Sequence, residues 1–126
     1  MIRKVFNIDN KWKVIVYYNI DYNLFKYIAD DISKLGVSNS SLYRVYKMMK
    51  SGRAKAVTIS SPLKQCSIVG FNTTNNDYDL INSIAHEAVH IMEAMLDYYG
   101  IDIEGEAPAY TIGHLVQIMI EPLKLI

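Results

Sequence analysis

The segment from Tyr78 to Tyr99 constrains the fold more than any other part of the chain, because it contains neither proline nor glycine. Asp77 is a suitable N-cap for a helix here, and Gly100 is a suitable stop. Apolar residues recur at spacings of three and four, which is typical of one buried helix face. These residues are Ile81, Ile84, Ala88, Met92 and Met95. We therefore predict an α-helix with one face in a core.

The same segment carries the motif His86-Glu87-Ala88-Val89-His90, which has the form HExxH. Residues four apart lie one above the other on a helix, so the two imidazoles can hold one tetrahedral metal ion, most commonly zinc. Ala88 lies about 200° around the helix from His86, which separates the histidines from the core face. Glu87 can act as general base in metal-assisted hydrolysis. The alternative is a helix whose two histidines hold no metal.

A zinc site of this kind needs a third protein ligand, and two downstream carboxylates are candidates. Glu104 precedes a glycine and is expected in a loop, whereas Glu106 begins a second predicted helix that runs to about Glu121. Ala109 and Gly113 follow on the same helix face as Glu106, and small residues there would let this helix approach the histidine helix closely. We therefore predict Glu106 as the third ligand. The alternative is an acidic first-turn residue that favours the helix dipole.

The sequence HEAVH, followed by an acidic loop and then by EAPAY, resembles the small gluzincin-type metallopeptidase-like proteins found in bacteriophage and bacterial genomes. The resemblance covers about the last third of the chain, from Asp77 to Pro122. It implies a zincin-like minimal α+β domain, with a small β-sheet, an HExxH active-site helix and a Glu-bearing C-terminal helix. It also implies three Zn²⁺ ligands (His86, His90 and Glu106) and one catalytic base (Glu87).

These observations predict a zinc-dependent hydrolase, foremost a metallopeptidase with a peptide or protein as substrate. A zinc-activated water would attack the substrate, with Glu87 as general base. A first alternative is a catalytically silent zinc-binding domain of phage or bacterial origin that serves as an interaction or structural protein. A second alternative is an interaction protein in which HExxH is accidental. Glu87 favours the enzyme, since a purely structural zinc site usually fills all four ligand positions with protein.

Four further polar residues have open roles. Tyr110 and His114 follow Glu106 by successive helical turns, and either could stabilise negative charge on a scissile carbonyl. Alternatively, the Tyr110 ring packs in the core and His114 hydrogen-bonds near the ligands or at the surface. Glu93 and Asp97 continue the histidine face, where one could orient a ligand imidazole. Both could equally be solvated carboxylates.

The composition limits the class of protein. The chain has 126 residues, of which 51% are hydrophobic, but no continuous apolar run is long enough to span a membrane. The first seven residues lack the apolar block of a signal peptide, and the single cysteine, Cys66, is expected in the core. We expect one domain over residues 1–126, in the cytoplasm of a bacterial or phage-infected cell. The formal net charge of +0 gives no argument for broad attraction to nucleic acid or membranes.

Two surface features remain. A basic cluster is expected to be a solvated helix face rather than a nucleic-acid site; it comprises Arg44, Lys47, Lys50, Arg53 and Lys55. The C-terminal apolar residues exceed what one core-facing stripe needs, which suggests a homo-oligomer or a protein partner on the C-terminal helix. These are Leu115, Val116, Met119, Ile120, Leu123, Leu125 and Ile126. The alternative is that they complete the core.

The predicted element order is β-β-α-α-β-β-α-α, an α+β domain. The strands are expected at Val5 to Ile8, Lys13 to Tyr18, Ala56 to Ile59 and Cys66 to Phe71. A first helix should begin at Asp21 with Leu24, Ile28, Ile32 and Leu35 on one face, and a second at Ser40 or Ser41. Either Ala56 to Ile59 or Ser67 to Phe71 is expected to form an edge strand beside the metal cleft, to which an extended peptide adds. Alternatively, that strand only closes the core.

Overall fold

The structure is a computed structural model that describes residues 1–124, in which four strands and four α-helices alternate in pairs. The strands are β1 (Ile2–Ile8), β2 (Trp12–Tyr18), β3 (Ala56–Ser61) and β4 (Cys66–Phe71). The helices are α1 (Phe25–Lys34), α2 (Asn39–Lys50), α3 (Asp77–Tyr99) and α4 (Glu106–Ile120). The predicted α+β class and the predicted order of elements are confirmed. Within residues 1–124, no helix combines the length and the apolar character needed to cross a membrane.

The four strands form one mixed sheet in the order β1-β2-β4-β3. Strands β1 and β2 pair antiparallel across a tight turn in which Asp9 and Asn10 both have positive φ, 52° and 57°. Strand β2 pairs parallel with β4, and β3 pairs antiparallel with β4. Strand β3 therefore lies at an edge of the sheet and β4 lies inside it, so the expected edge strand is β3.

Helices cover both faces of the sheet, because alternate side chains of β2 point to opposite sides. Val14, Val16 and Tyr18 pack with residues of α3 and α4, including Ile84 and Leu115. Ile15 and Tyr17 pack with residues of α1 and α2, including Ile28 and Met49. The sheet is thus the middle of three layers, with α1 and α2 on one side and α3 and α4 on the other.

The C-terminal apolar residues complete the core as far as the structure describes them. Leu115 and Met119 are fully buried, and Tyr18 donates a hydrogen bond of 2.7 Å to the Met119 carbonyl. Three more residues pack against the same cluster: Val116, Ile120 and Leu123. Leu125 and Ile126 lie outside the described residues. A partner at the C-terminal helix stays a prediction.

The ends of α3 agree closely with the sequence. The N-cap is Asn76 rather than Asp77, because the Asn76 side chain accepts a hydrogen bond of 2.9 Å from the Asp79 backbone N–H. Asp77 is instead the first helical residue, where its charge favours the helix dipole. Gly100 ends the helix with φ 68°, a left-handed conformation that glycine adopts at little cost.

The starts of the first two helices differ from the prediction. Asp21 caps a short 3₁₀ turn (Tyr22–Leu24) that leads into α1, and Leu24 is consequently exposed. The buried face of α1 begins at Phe25 and continues through Ile28 and Ile32. Helix α2 is capped by the side chain of Ser38, two residues before Ser40. Its hydroxyl accepts a hydrogen bond of 3.2 Å from the Ser41 N–H.

Cys66 lies in the core as expected, and burial raises the pKa of its thiol.

Candidate metal centre

The HExxH motif lies in the middle of α3, where this helix packs beside the edge strand β3. A cleft of about 440 Å³ runs between the two elements. Strand β3 contributes Ala56, Val57, Thr58 and Ser60 to its walls, and α3 contributes His86, Glu87, His90 and Ala94. The structure therefore brings the three candidate residues of the motif, His86, Glu87 and His90, to one cleft.

The two imidazoles converge at this cleft. The Nε2 atoms of His86 and His90 are 3.3 Å apart, and the ring centroids are 5.0 Å apart with an interplanar angle of 72°. Two nitrogen ligands at about 2.0–2.1 Å from a tetrahedral zinc ion are separated by about 3.4 Å. A direct N–H···N hydrogen bond would ordinarily be shorter, at about 3.0 Å. Both histidines are exposed, so the two nitrogen atoms are accessible. Their separation fits two ligands of one zinc ion.

Glu87 occupies a different environment from the histidines that flank it. It is only 5% exposed, and Thr58 Oγ1 of β3 donates a hydrogen bond of 2.7 Å to its Oε2 atom. A hydroxyl-to-carboxylate bond of this length is charge-assisted and stronger than a neutral one. The carboxylate is therefore held against the strand wall of the cleft that His86 and His90 also line.

Thr58 is a candidate functional residue that the sequence motifs did not identify. A signal for it exists in the alternation of β3, where the small or polar residues Ala56, Thr58 and Ser60 alternate with Val57 and Ile59. This period of two places the polar set on one face, and the apolar pair packs on the opposite face against the α1 and α2 layer. The sequence does not show that this polar face packs against α3, because that contact belongs to the tertiary structure.

A chain of polar contacts continues from the cleft wall into the core. Ser60 and Ser67 share a hydrogen bond of 2.6 Å between their hydroxyls, and Trp12 Nε1 donates a bond of 3.0 Å to the Ser67 hydroxyl. Both Trp12 and Ser67 are buried. The strand that carries Thr58 is thus fixed to the sheet interior by side chains as well as by its backbone.

The structure does not bring Glu106 to the histidines. Glu106 is exposed at the first turn of α4, and residues 1–124 contain no cluster of three His, Cys, Asp or Glu side chains that could hold a metal ion. The expectation that Ala109 and Gly113 lie at the contact with α3 is wrong, since both are exposed and a Cβ atom at Gly113 would meet nothing within 4 Å. Helix α4 instead packs through residues such as Leu115, and Glu106 as third ligand stays a prediction.

The remaining candidates lie at the surface. Tyr110 is 76% exposed, so the alternative that its ring packs in the core is wrong. His114, Glu93 and Asp97 are also exposed. Among the hydrogen bonds of the described residues, the only one to either imidazole of the motif is the mutual contact of the two histidines. Roles for these four residues in charge stabilisation or ligand orientation stay predictions.

Comparisons with protein-family models, with curated proteins and with solved structures found no match for this chain. The resemblance of HEAVH and EAPAY to gluzincin-type proteins therefore stays a prediction.

Proposed function

We propose that this chain is a zinc-dependent hydrolase with a zincin-like site, and specifically a metallopeptidase. The observation that carries the proposal is the 3.3 Å separation of the His86 and His90 Nε2 atoms beside a buried carboxylate. Two nitrogen donors at ligand spacing next to a general-base candidate are the components that metal-assisted hydrolysis needs. In this proposal His86 and His90 hold Zn²⁺, and Glu106 supplies the third protein ligand.

Zinc, when bound, would supply a Lewis acid that makes a water reactive near neutral pH. Glu87 accepts the proton of the attacking water and passes it to the leaving amine. Thr58 is a positioning residue in this account, because its hydroxyl donates to one carboxylate oxygen and leaves the other free to accept a proton. Burial of Glu87 at the cleft wall limits the orientations that its carboxylate can take.

The position of the cleft favours an extended peptide as substrate. Strand β3 ends the sheet, so one row of its backbone N–H and C=O groups is available to pair with an added strand. A second cleft of about 300 Å³ shares Ala56, His86 and Glu87 with the first and continues to Lys55 and Asn82. A peptide added along β3 would therefore pass the motif with room for residues on both sides of it.

The proposal is tested by hydrolysis of casein and of a mixed fluorogenic peptide pool by zinc-loaded protein. We expect cleavage that 1,10-phenanthroline abolishes and that added Zn²⁺ restores after the chelator is removed. Cleavage that persists unchanged under chelation would contradict a metal-dependent mechanism.

One observation favours the second function, a catalytically silent zinc-binding domain with an interaction role. The Nε2 atoms of His86 and His90 are 3.3 Å apart on exposed residues, so a partner protein can reach them to complete the coordination. A chain that holds zinc and cleaves neither casein nor the peptide pool would support this function over the peptidase.

Replacing Thr58 by valine is expected to lower the rate of peptide cleavage about tenfold with zinc content unchanged. The substitution removes a hydrogen bond to a carboxylate, which contributes about 1.5–3 kcal/mol, while nearly preserving side-chain shape. Thr58→Ser keeps the hydroxyl and should retain most of the rate. Steady-state kinetics of both variants check this, and equal rates in Thr58→Val and wild type would remove Thr58 from the mechanism.

A further inference from the structure

The zero net charge of the chain conceals a strong separation of charge along the sequence. Residues 32–76 contain seven Lys or Arg residues and no Asp or Glu, whereas residues 77–126 contain nine Asp or Glu residues and one Lys. Solvated helix faces usually mix the two signs, because neighbouring pairs of opposite charge stabilise them. The basic cluster therefore differs from an ordinary solvated surface in having no carboxylate in its own part of the chain.

The fold keeps the two charge groups on different layers. Helix α2 lies on the side of the sheet that faces away from α3 and α4, which carry six of the nine acidic residues in the segment 77–126. The inner face of α2 packs through Leu42, Val45, Tyr46 and Met49. The exposed face carries Arg44, Lys47 and Lys50 together with Tyr43 and Met48. The carboxylates of this layer, Asp30 and Asp31 on α1, are paired with Lys34 and Arg3.

A groove of about 420 Å³ lies on this outer face. Tyr43, Arg44, Lys47 and Met48 of α2 line it together with Ser51 and Arg53, which follow the helix. We call this surface the basic groove. Within residues 1–124 the ion pairs are those of Arg3 with Asp31 and of Lys34 with Asp30, so all three cations of the groove lack a carboxylate partner. Its positive charge is therefore available to an external anion.

The basic groove also exposes an aromatic ring. Tyr43 is 61% exposed and Met48 is 44% exposed, although both are large apolar side chains. The Nζ atom of Lys47 lies 5.2 Å from the centroid of the Tyr43 ring, so a cation and an aromatic face are adjacent. Cations beside an exposed ring are the combination that binds a phosphate backbone and stacks an unpaired base.

We propose that the basic groove binds single-stranded nucleic acid, with Arg44, Lys47 and Arg53 on phosphates and Tyr43 stacked on a base. An acidic protein segment, or the acidic surface of a second copy, would satisfy the cations but would make no specific use of the ring. Duplex nucleic acid would leave Tyr43 without an unstacked base. Because the groove and the metal cleft lie on opposite sides of the sheet, this inference does not depend on the proposed hydrolase.

The test is fluorescence anisotropy of a labelled mixed-sequence 12-nucleotide DNA strand, titrated with the full chain without added metal at several NaCl concentrations between about 20 and 150 mM. We expect an affinity that falls linearly with salt on a logarithmic plot. The variant R44A/K47A/R53A should weaken binding and reduce the salt slope by about 2, since each lost phosphate contact removes about 0.7. Tyr43→Ala should weaken binding about fivefold or more and leave the slope unchanged.

The matched control is K4A/K11A/K26A, which removes the same charge from exposed positions outside the groove and should retain the wild-type slope. Circular dichroism establishes that each variant is folded.

The inference is overturned if no binding occurs at the lowest salt, or if both triple variants lose slope equally. If polyglutamate competes with the labelled DNA as well as unlabelled DNA does, and Tyr43→Ala has no effect, the groove binds an acidic protein instead. If the chain self-associates with rising concentration and thereby displaces the DNA, the groove binds a second copy instead. Tighter binding of a duplex of the same sequence would also contradict it.

Discussion

Replacing Glu87 by glutamine is expected to lower the kcat of peptide cleavage by about a thousandfold and to leave about one zinc ion bound per chain. The amide of glutamine cannot accept the proton of the attacking water, and general-base catalysis by a positioned side chain contributes about 10²–10⁴ in rate. The fold should tolerate the change, because the amide oxygen can still accept the hydrogen bond of Thr58 in the buried site. Zinc content and cleavage rate are measured on the same preparation.

Glu121→Gln is the matched control for this variant. It makes the same chemical change at an exposed position that follows α4 and does not line the cleft. It should therefore cleave at nearly the wild-type rate. Full activity in the Glu87 variant would move the base to another residue, and loss of zinc from it would mean that the Glu87 carboxylate acts mainly in metal retention.

The largest effect on stability is expected for Trp12→Ala, which should lower the free energy of unfolding by about 3–5 kcal/mol. Trp12 is 1% exposed, and its ring meets Tyr98 and Tyr99 edge-on at centroid distances of 5.9 and 6.3 Å. Truncation would remove these contacts and leave the buried Ser67 hydroxyl without its Nε1 donor. Urea denaturation followed by circular dichroism measures the change.

Two comparisons sharpen this measurement. Trp12→Phe keeps most of the buried ring area and should cost clearly less than the alanine variant. Leu63→Ala removes a side chain that is 90% exposed, so its effect should lie within about 0.5 kcal/mol of zero. A Trp12→Ala cost as small as that of Leu63→Ala would contradict the assignment of Trp12 to the core.

The elements of this fold were predictable from the sequence because their signals are local. The spacing of Ile84, Ala88 and Met92 specifies a helix with one buried face, and these residues are buried in α3. The two cap errors have a local cause as well. Asn and Ser side chains cap helices as readily as the neighbouring Asp77 and Ser40 do, so composition alone does not choose between adjacent candidates.

The arrangement of the elements depends on contacts that no local pattern encodes. The parallel pairing of β2 with β4 places Val14 opposite Ser67, and these residues are separated in the chain by α1, α2 and β3. That pairing makes β3 the edge strand and brings Thr58 to Glu87.

The packing of α4 was mispredicted for a similar reason. Small residues permit close helix contact but do not require it, and the apolar residue Leu115 decides which face turns inward.

The candidate site was predictable only in part. The motif identified His86, Glu87 and His90, because their spacing on a helix is itself the chemical requirement. Thr58 was not identified, since its role depends on where a separate strand packs. The basic cluster was visible in the sequence. That its cations Arg44, Lys47 and Arg53 line one groove without a carboxylate partner among the described residues, beside the exposed Tyr43, required the structure.

The central claim is that His86 and His90 together hold zinc, and metal content by mass spectrometry tests it most directly. Purified wild-type protein, reconstituted and freed of excess metal, should hold about one zinc ion per chain, and His90→Ala should hold much less. His114→Ala is measured in the same way, and an unchanged zinc content would exclude this exposed histidine as a ligand. Glu106→Ala is measured beside them. Zinc loss would support Glu106 as the third ligand, and full zinc would move that role to Glu104 or His114. Wild-type protein without zinc, or a His90→Ala variant with a full complement, would contradict the account.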